Sequence, residues 1–167
     1  TSRWATLIAM GTFATSLGNP LVLASLPMKS ILVNVLSVSK VQMALFFALS
    51  GVAWVLKPLI GVSVDWLSRR FHRATTLAIA AAAAVALWGL IAVLPVNYGI
   101  LLGGFLLVNM AIVVASNIIG GLVVEQGKED SSTGRLGSAS MAGRHLGYSI
   151  AGPLGGYLAG SSLGPTA

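Results

Sequence analysis

With 167 residues, 56% apolar and 8% charged, the chain has too little charge to cover a soluble surface, where about a quarter of residues are ordinarily charged. Ten Lys and Arg against four Asp and Glu give a net charge of +6, yet the basic residues form no stripe with interleaved aromatics, which excludes a nucleic-acid face. Cysteine is absent, which excludes disulfides and thiolate metal sites.

The first apolar run spans about residues 4–26 and carries no charge. A membrane-crossing helix needs about 20 such residues, and a signal-peptide core is shorter. Thr12, Thr15, Ser16 and Asn19 interrupt its apolar character. They read either as small polar residues at a helix–helix contact or as a face on a water-filled path. Gly18-Asn19-Pro20 predicts a kink or break. The stretch from Pro27 to Ser39, with Lys29, is expected to be a short interfacial helix or an irregular loop.

A second span is expected over about 41–64, with Lys57 and Pro58 in its last third, followed by a basic loop holding Arg69, Arg70, His72 and Arg73. His72 among arginines reads as a solvated loop residue. The third span, about 74–96, contains the alanine run from Ala78 to Ala86, whose small face lets neighbours approach closely. Pro95 to Tyr98 predicts a tight turn. The fourth span, about 98–124, carries Asn109, Ser116 and Asn117, and Gly120-Gly121 is expected to loosen its last turns. Glu125 to Arg135 reads as a solvated loop. The fifth span, about 137–163, carries Arg144 and His145. Gly143, Gly147, Ala151, Gly155 and Ala159 make one row at four-residue spacing, and Gly152, Gly156 and Gly160 make a second. Both rows predict close packing on one helix face.

Orientation follows from the basic residues. Alternating spans place Arg3, Arg69, Arg70, Arg73, Lys128 and Arg135 on the side of the N-terminus and only Lys29 and Lys40 on the other. Basic loops stay cytoplasmic, so the N-terminus is expected inside. The sequence starts at Thr1 rather than Met, which suggests a fragment or a trimmed chain.

Lys57 stands about eight residues before Asp65, roughly 12 Å inside the helix end. An ammonium at such depth costs up to about 2.5–3.5 kcal/mol unless it meets water, a partner or the bundle interior. It reads as a snorkelling anchor or as a residue on an internal cavity. Pro58 favours the cavity, because irregular backbone at membrane depth is tolerated only there or within protein. Arg144 is a second deep cation, and no acid lies deep in any span, which points to an anionic ligand or an acid supplied from elsewhere. No Ser-His-Asp set, paired acids or metal-ligand cluster can be assembled, so the chain is not read as an enzyme and no cofactor or metal is expected.

Gly61, three residues, Asp65 and then Arg69, Arg70 and Arg73 resemble the loop between the second and third helices of the major facilitator superfamily. Three pieces are similar to the folate-biopterin transporter family within it. They are Leu26-Pro27-Met28-Lys29, the run from Trp54 through Lys57 and Gly61 to Asp65, and the region from Leu122 to Gly147 with Gly134, Leu136, Ser138 and Arg144. Where that family has acids in its fourth helix, this chain has Ser116 and Gly120, and a Gln and a Trp of the fifth helix are replaced by Gly137 and Met141. Gly152-Pro153-Leu154-Gly155-Gly156 also resembles a fifth-helix motif of drug-proton antiporters, one residue short in spacing.

The resemblance implies an all-α integral membrane bundle of about five transmembrane helices, most of a major-facilitator-type N-terminal half without the sixth span and the C-terminal half. It implies secondary transport of a small organic anion, such as a folate or pterin, by alternating access. Lys57, Arg144, Asn19, Asn109 and Asn117 are the candidate substrate or coupling residues. Gly61, Asp65, Arg69, Arg70, Arg73 and Glu125 are the candidate cytoplasmic gate. The expected partners are the lipid bilayer, the solute and the missing half, with no nucleic acid. The alternatives are a non-transporting membrane scaffold or assembly factor of the same fold, a drug-proton antiporter-like efflux protein, and a truncated product inactive alone.

Overall fold

Ser39 and Gln42 form a capping box: the Ser39 hydroxyl accepts from the Gln42 N–H at 3.2 Å, and the Gln42 side chain accepts from the Ser39 N–H at 2.9 Å. This reciprocal pair starts a helix at Lys40. Asn97 does the same work for another, its side-chain oxygen accepting from the Gly99 N–H at 2.9 Å.

The computed structural model describes residues 2–129 and 131–162, and every regular element among them is helical. The elements are α1 (Ser2–Leu17), α2 (Pro20–Leu23), α3 (Ser25–Ser30), a π turn (Ile31–Val35), α4 (Lys40–Ser50), α5 (Val52–Val55), α6 (Lys57–Arg70), α7 (Arg73–Val93), α8 (Tyr98–Glu129) and α9 (Thr133–Ser162). α1 through the π turn make one interrupted column, α4 through α6 a second, and α7, α8 and α9 one each. α7 and α8 are long and apolar enough to cross a membrane, and Lys40–Val55 with Lys57–Trp66, bent by 43°, is a third if the pair is one span.

Contacts fix the directions. Trp54 and Lys57 meet Asn109 and Ser116, so the second column runs parallel to α8. Ile91 lies on Gly104 and Arg73 on Gly121, so α7 is antiparallel to α8. Gly143 and Gly155 lie on Ala9 and Leu23, so α9 is parallel to the first column.

Gly18-Asn19-Pro20 does break the first column. Asn19 caps α2, accepting from the Leu21 N–H at 3.0 Å, and Pro20 takes the first helical position, where no N–H is needed. The break frees the Gly18 carbonyl, and the Trp88 indole of α7 donates to it at 3.1 Å.

Of the two alternatives for Pro27–Ser39, the structure has the short helix, as far as Val35, with Pro27 inside the first turn of α3. Two other connections are shorter than the sequence suggests. The expected loop from Glu125 to Arg135 is helical as far as Glu129 and again from Thr133, with Ser131 and Ser132 outside both helices. Glu, Gln and Lys are good helix formers, so α8 continues past its apolar length into a solvated end. The basic loop reduces to Phe71 and His72, because α6 runs to Arg70 and α7 starts at Arg73. Gly120 and Gly121 do not interrupt α8. The far end of the expected fifth span, residue 163, lies outside the described residues.

Two apolar clusters hold the columns. Met28, Leu32, Phe46, Leu101 and Phe105 pack near one end, where Phe46 meets Phe47, Tyr98 and Phe105 edge-on at centroid distances of 5.5, 5.7 and 5.4 Å. Ile8, Ile119 and Leu136 pack near the other. Between them α1 lies against the small-residue row of α9. Gly143, Gly147, Ala151 and Gly155 are buried, while Gly152 and Gly160 face open space. Only one of the two rows makes the contact that both predict.

Candidate functional site

Asn109, Ser116 and Asn117 fall at i, i+7 and i+8 on α8, a spacing that places them on one helix face. That face receives the bent second column. Asn109 is fully buried; its Oδ1 accepts from Trp54 Nε1 at 3.0 Å, and its Nδ2 donates to the Ser50 and Phe105 carbonyls, both at 3.0 Å. Ser50 ends α4, so Asn109 satisfies a carbonyl at the edge of a helix break. Asn117 Nδ2 donates to the Lys57 carbonyl at 3.1 Å, just beyond the second break. Pro58 sits in the first turn of α6, where its missing N–H costs nothing.

Lys57 is half-buried. Its ammonium donates to the Ser116 hydroxyl at 2.9 Å and lies 5.3 Å from the centre of the Trp54 ring. Both partners are neutral. Arg144 on α9 is also half-buried. Neither cation meets a carboxylate among the described residues.

Towards the end of α6 the site becomes charged. A cavity of about 540 Å³ between α6 and α8 is lined by Lys57, Ser116 and Asn117 at one end and by Asp65, Arg73 and Glu125 at the other. Arg73 Nη2 pairs with Glu125 at 2.5 Å and lies 3.9 Å from Asp65. The side chains are 29% exposed for Arg73, 48% for Glu125 and 68% for Asp65, so solvent screens these pairs and each contributes at most about 1 kcal/mol. The Arg73 guanidinium passes over Gly121 so closely that a Cβ there would collide with it. Gly61 faces the Asn117 amide, and a Cβ there would make ordinary contact at 3.6 Å.

The structure thus brings Lys57, Asn117, Gly61, Asp65, Arg73 and Glu125 to one cavity. Asn109 adjoins it as a buried brace. Asn19 stands apart as a helix cap, and Arg70 is exposed outside the cavity lining. The side chain of Arg69 lies outside the described residues. Reasoning from sequence did not single out Ser116 or Trp54 as the partners of Lys57. The i, i+7 relation of Ser116 to Asn109 is the signal that points to it.

Comparison with models of known families, with curated proteins and with solved structures gives no match. The functional reading rests on this geometry and on the sequence.

Proposed function

We propose that the chain forms part of a secondary transporter, most of a major-facilitator-type N-terminal half with five membrane spans, which moves a small organic anion of folate or pterin type by alternating access. One observation carries the reading: two half-buried cations, Lys57 and Arg144, have no carboxylate partner among the described residues. Like charges at depth are costly unless a counter-charge arrives. A bound carboxylate supplies it, with Ser116 beside the ammonium and Asn117 on the same cavity lining offering polar contacts. The cluster of Asp65, Arg73 and Glu125 lies on the cytoplasmic side and gates that mouth.

Trp54 beside Lys57 provides an intrinsic fluorescence reporter of binding. Titration of a folate or pterin carboxylate is expected to quench it. Lys57→Met is expected to weaken binding at least about tenfold, equivalent to about 1.4 kcal/mol, and to abolish uptake by a full-length version, with Lys57→Arg restoring part of both. Undiminished binding and uptake by a folded Lys57→Met protein would leave the residue as a snorkelling anchor and remove the argument for an anionic solute. Loss of binding without any saturable uptake by the unaltered protein favours a scaffold.

The same reading sets an orientation, N-terminus inside. The natural lack of cysteine makes it testable. A single cysteine at exposed Val96 is expected to react with an impermeant thiol reagent on intact cells, and one at exposed Lys128 only after permeabilisation. The opposite labelling pattern would invert the topology.

A further inference from the structure

Away from the Lys57 cavity, α1 and α7 do not pack along their length, although α8 contacts both. Two hollows fill the gap. One of about 320 Å³ lies among Gly18, Ala81, Ala84 and Trp88, and one of about 620 Å³ lies among Trp4, Leu7, His72 and Arg73. Both are lined by Gly11, Leu77 and Ile119, so they adjoin along these residues. The cause is visible in the sequence. α1 presents Gly11 and Ala14 and ends just before Gly18, α7 presents its alanine run, and these small side chains do not reach across. At the upper end the Trp88 indole, bonded to the Gly18 carbonyl, holds the columns apart as a strut.

We propose that this groove holds one anionic phospholipid, with an acyl chain along the alanine face of α7 and its phosphate at His72 and Arg73. The inference rests on the helices crossing a membrane, and Arg73 is shared with the Lys57 cavity. Length supports it. Arg73 to Trp88 is about 22 Å of helix at 1.5 Å per residue, more than the half-thickness of a hydrocarbon core of about 30 Å. The rim is apolar and outward, with Leu7 and Val85 59% and 73% exposed. An unfilled apolar hollow would forfeit its dispersion contacts, and lipid is the solvent at hand.

Charge selects the headgroup. The lower end opens where α7 begins, and His72 makes no side-chain cap there, so its ring is not used by the helix. Arg73 lines this end as well as the Lys57 cavity, where its Nη2 meets Glu125 and Asp65, and an arginine offers donors on all three nitrogens. Arg3 and Arg70 add basic charge at the same end. Such clusters favour anionic over zwitterionic lipid.

The test uses the full chain in detergent with Trp4, Trp54 and Trp66 changed to Phe, leaving Trp88 as reporter. Brominated phosphatidylglycerol and brominated phosphatidylcholine are titrated separately. The expected result is saturable quenching, half-saturated at about tenfold less phosphatidylglycerol. Ala84→Phe or Ala81→Leu, which fill the hollow, should remove the saturable phase while circular dichroism shows the helices retained. His72→Gln with Arg73→Gln should equalise the two lipids. Equal quenching by both lipids, insensitive to the filling substitutions, would reduce the groove to ordinary annular contact. Saturable quenching without headgroup preference would make it a site for an apolar molecule and overturn the assignment of an anionic lipid.

Discussion

Gly143→Leu is expected to separate α1 from α9 and to destabilise the bundle by about 3 kcal/mol or more, while Gly152→Leu, nine residues along the same helix, leaves it nearly unchanged. A Cβ at Gly143 would run into the Ala9 carbonyl and the Thr12 hydroxyl, and one at Gly147 would lie 2.7 Å from the Phe13 carbonyl. Gly152 has nothing within 4 Å. Overpacking usually costs about 1–3 kcal/mol. Here the obstacle is largely backbone, which cannot rotate aside, so the upper end applies. In lipid no hydrophobic drive compensates, because the surrounding tails are as apolar as the side chains. Thermal unfolding in detergent measures the difference. Equal midpoints for the two variants would show that α9 does not use the Gly143 row.

The second large effect is expected from Asn109→Leu, which keeps the volume and removes the amide. Its three hydrogen bonds go to Trp54, Ser50 and Phe105, and the residue is fully buried. The Phe105 carbonyl retains its place in the α8 ladder, but the Trp54 indole and the Ser50 carbonyl lose their partner. Leaving a buried polar group unsatisfied costs about 1–3 kcal/mol, so the loss is about 2–6 kcal/mol. Trp54→Phe removes one orphan, and the double variant should therefore be less destabilised than the sum of the single ones. Strict additivity in chemical unfolding would mean that the indole and the amide do not interact.

The columns were legible because apolar run length is a strong signal, and the break in the first because Gly-Asn-Pro carries direct backbone consequences, whereas the break at Gly51 was not read from the sequence. Helix ends were less legible. Glu125, Lys128 and Glu129 look like loop residues by polarity, yet they are good helix formers, and α8 runs through them. The candidate cavity was legible in its charges. Lys57, Asp65, Arg73 and Glu125 were visible because charge is rare in this chain, and they share one cavity. Their neutral partners were not. Whether Lys57 meets Ser116, or Trp88 meets Gly18, depends on the rotation of one helix about its axis against another. An evenly apolar helix such as α7, with alanine around much of its circumference, gives no period from which to read that rotation. The same uniformity explains the two glycine rows: their spacing is alike, and only the shape of α1 decides which one is used.

The parallel pairing of α1 with α9 also sets an order of assembly. α9 follows α1 by more than about a hundred residues, which at roughly 5–20 residues per second is on the order of ten seconds of synthesis. For that interval α1 must exist without the surface it is shaped to meet. Its hydroxyls suit the wait. Thr12 donates to the Ile8 carbonyl at 2.8 Å and Thr15 to the Gly11 carbonyl at 3.1 Å, so each is satisfied within its own helix. A helix whose polar groups close on themselves can stand alone among acyl chains and accept its partner late, without a competing partner having to be displaced.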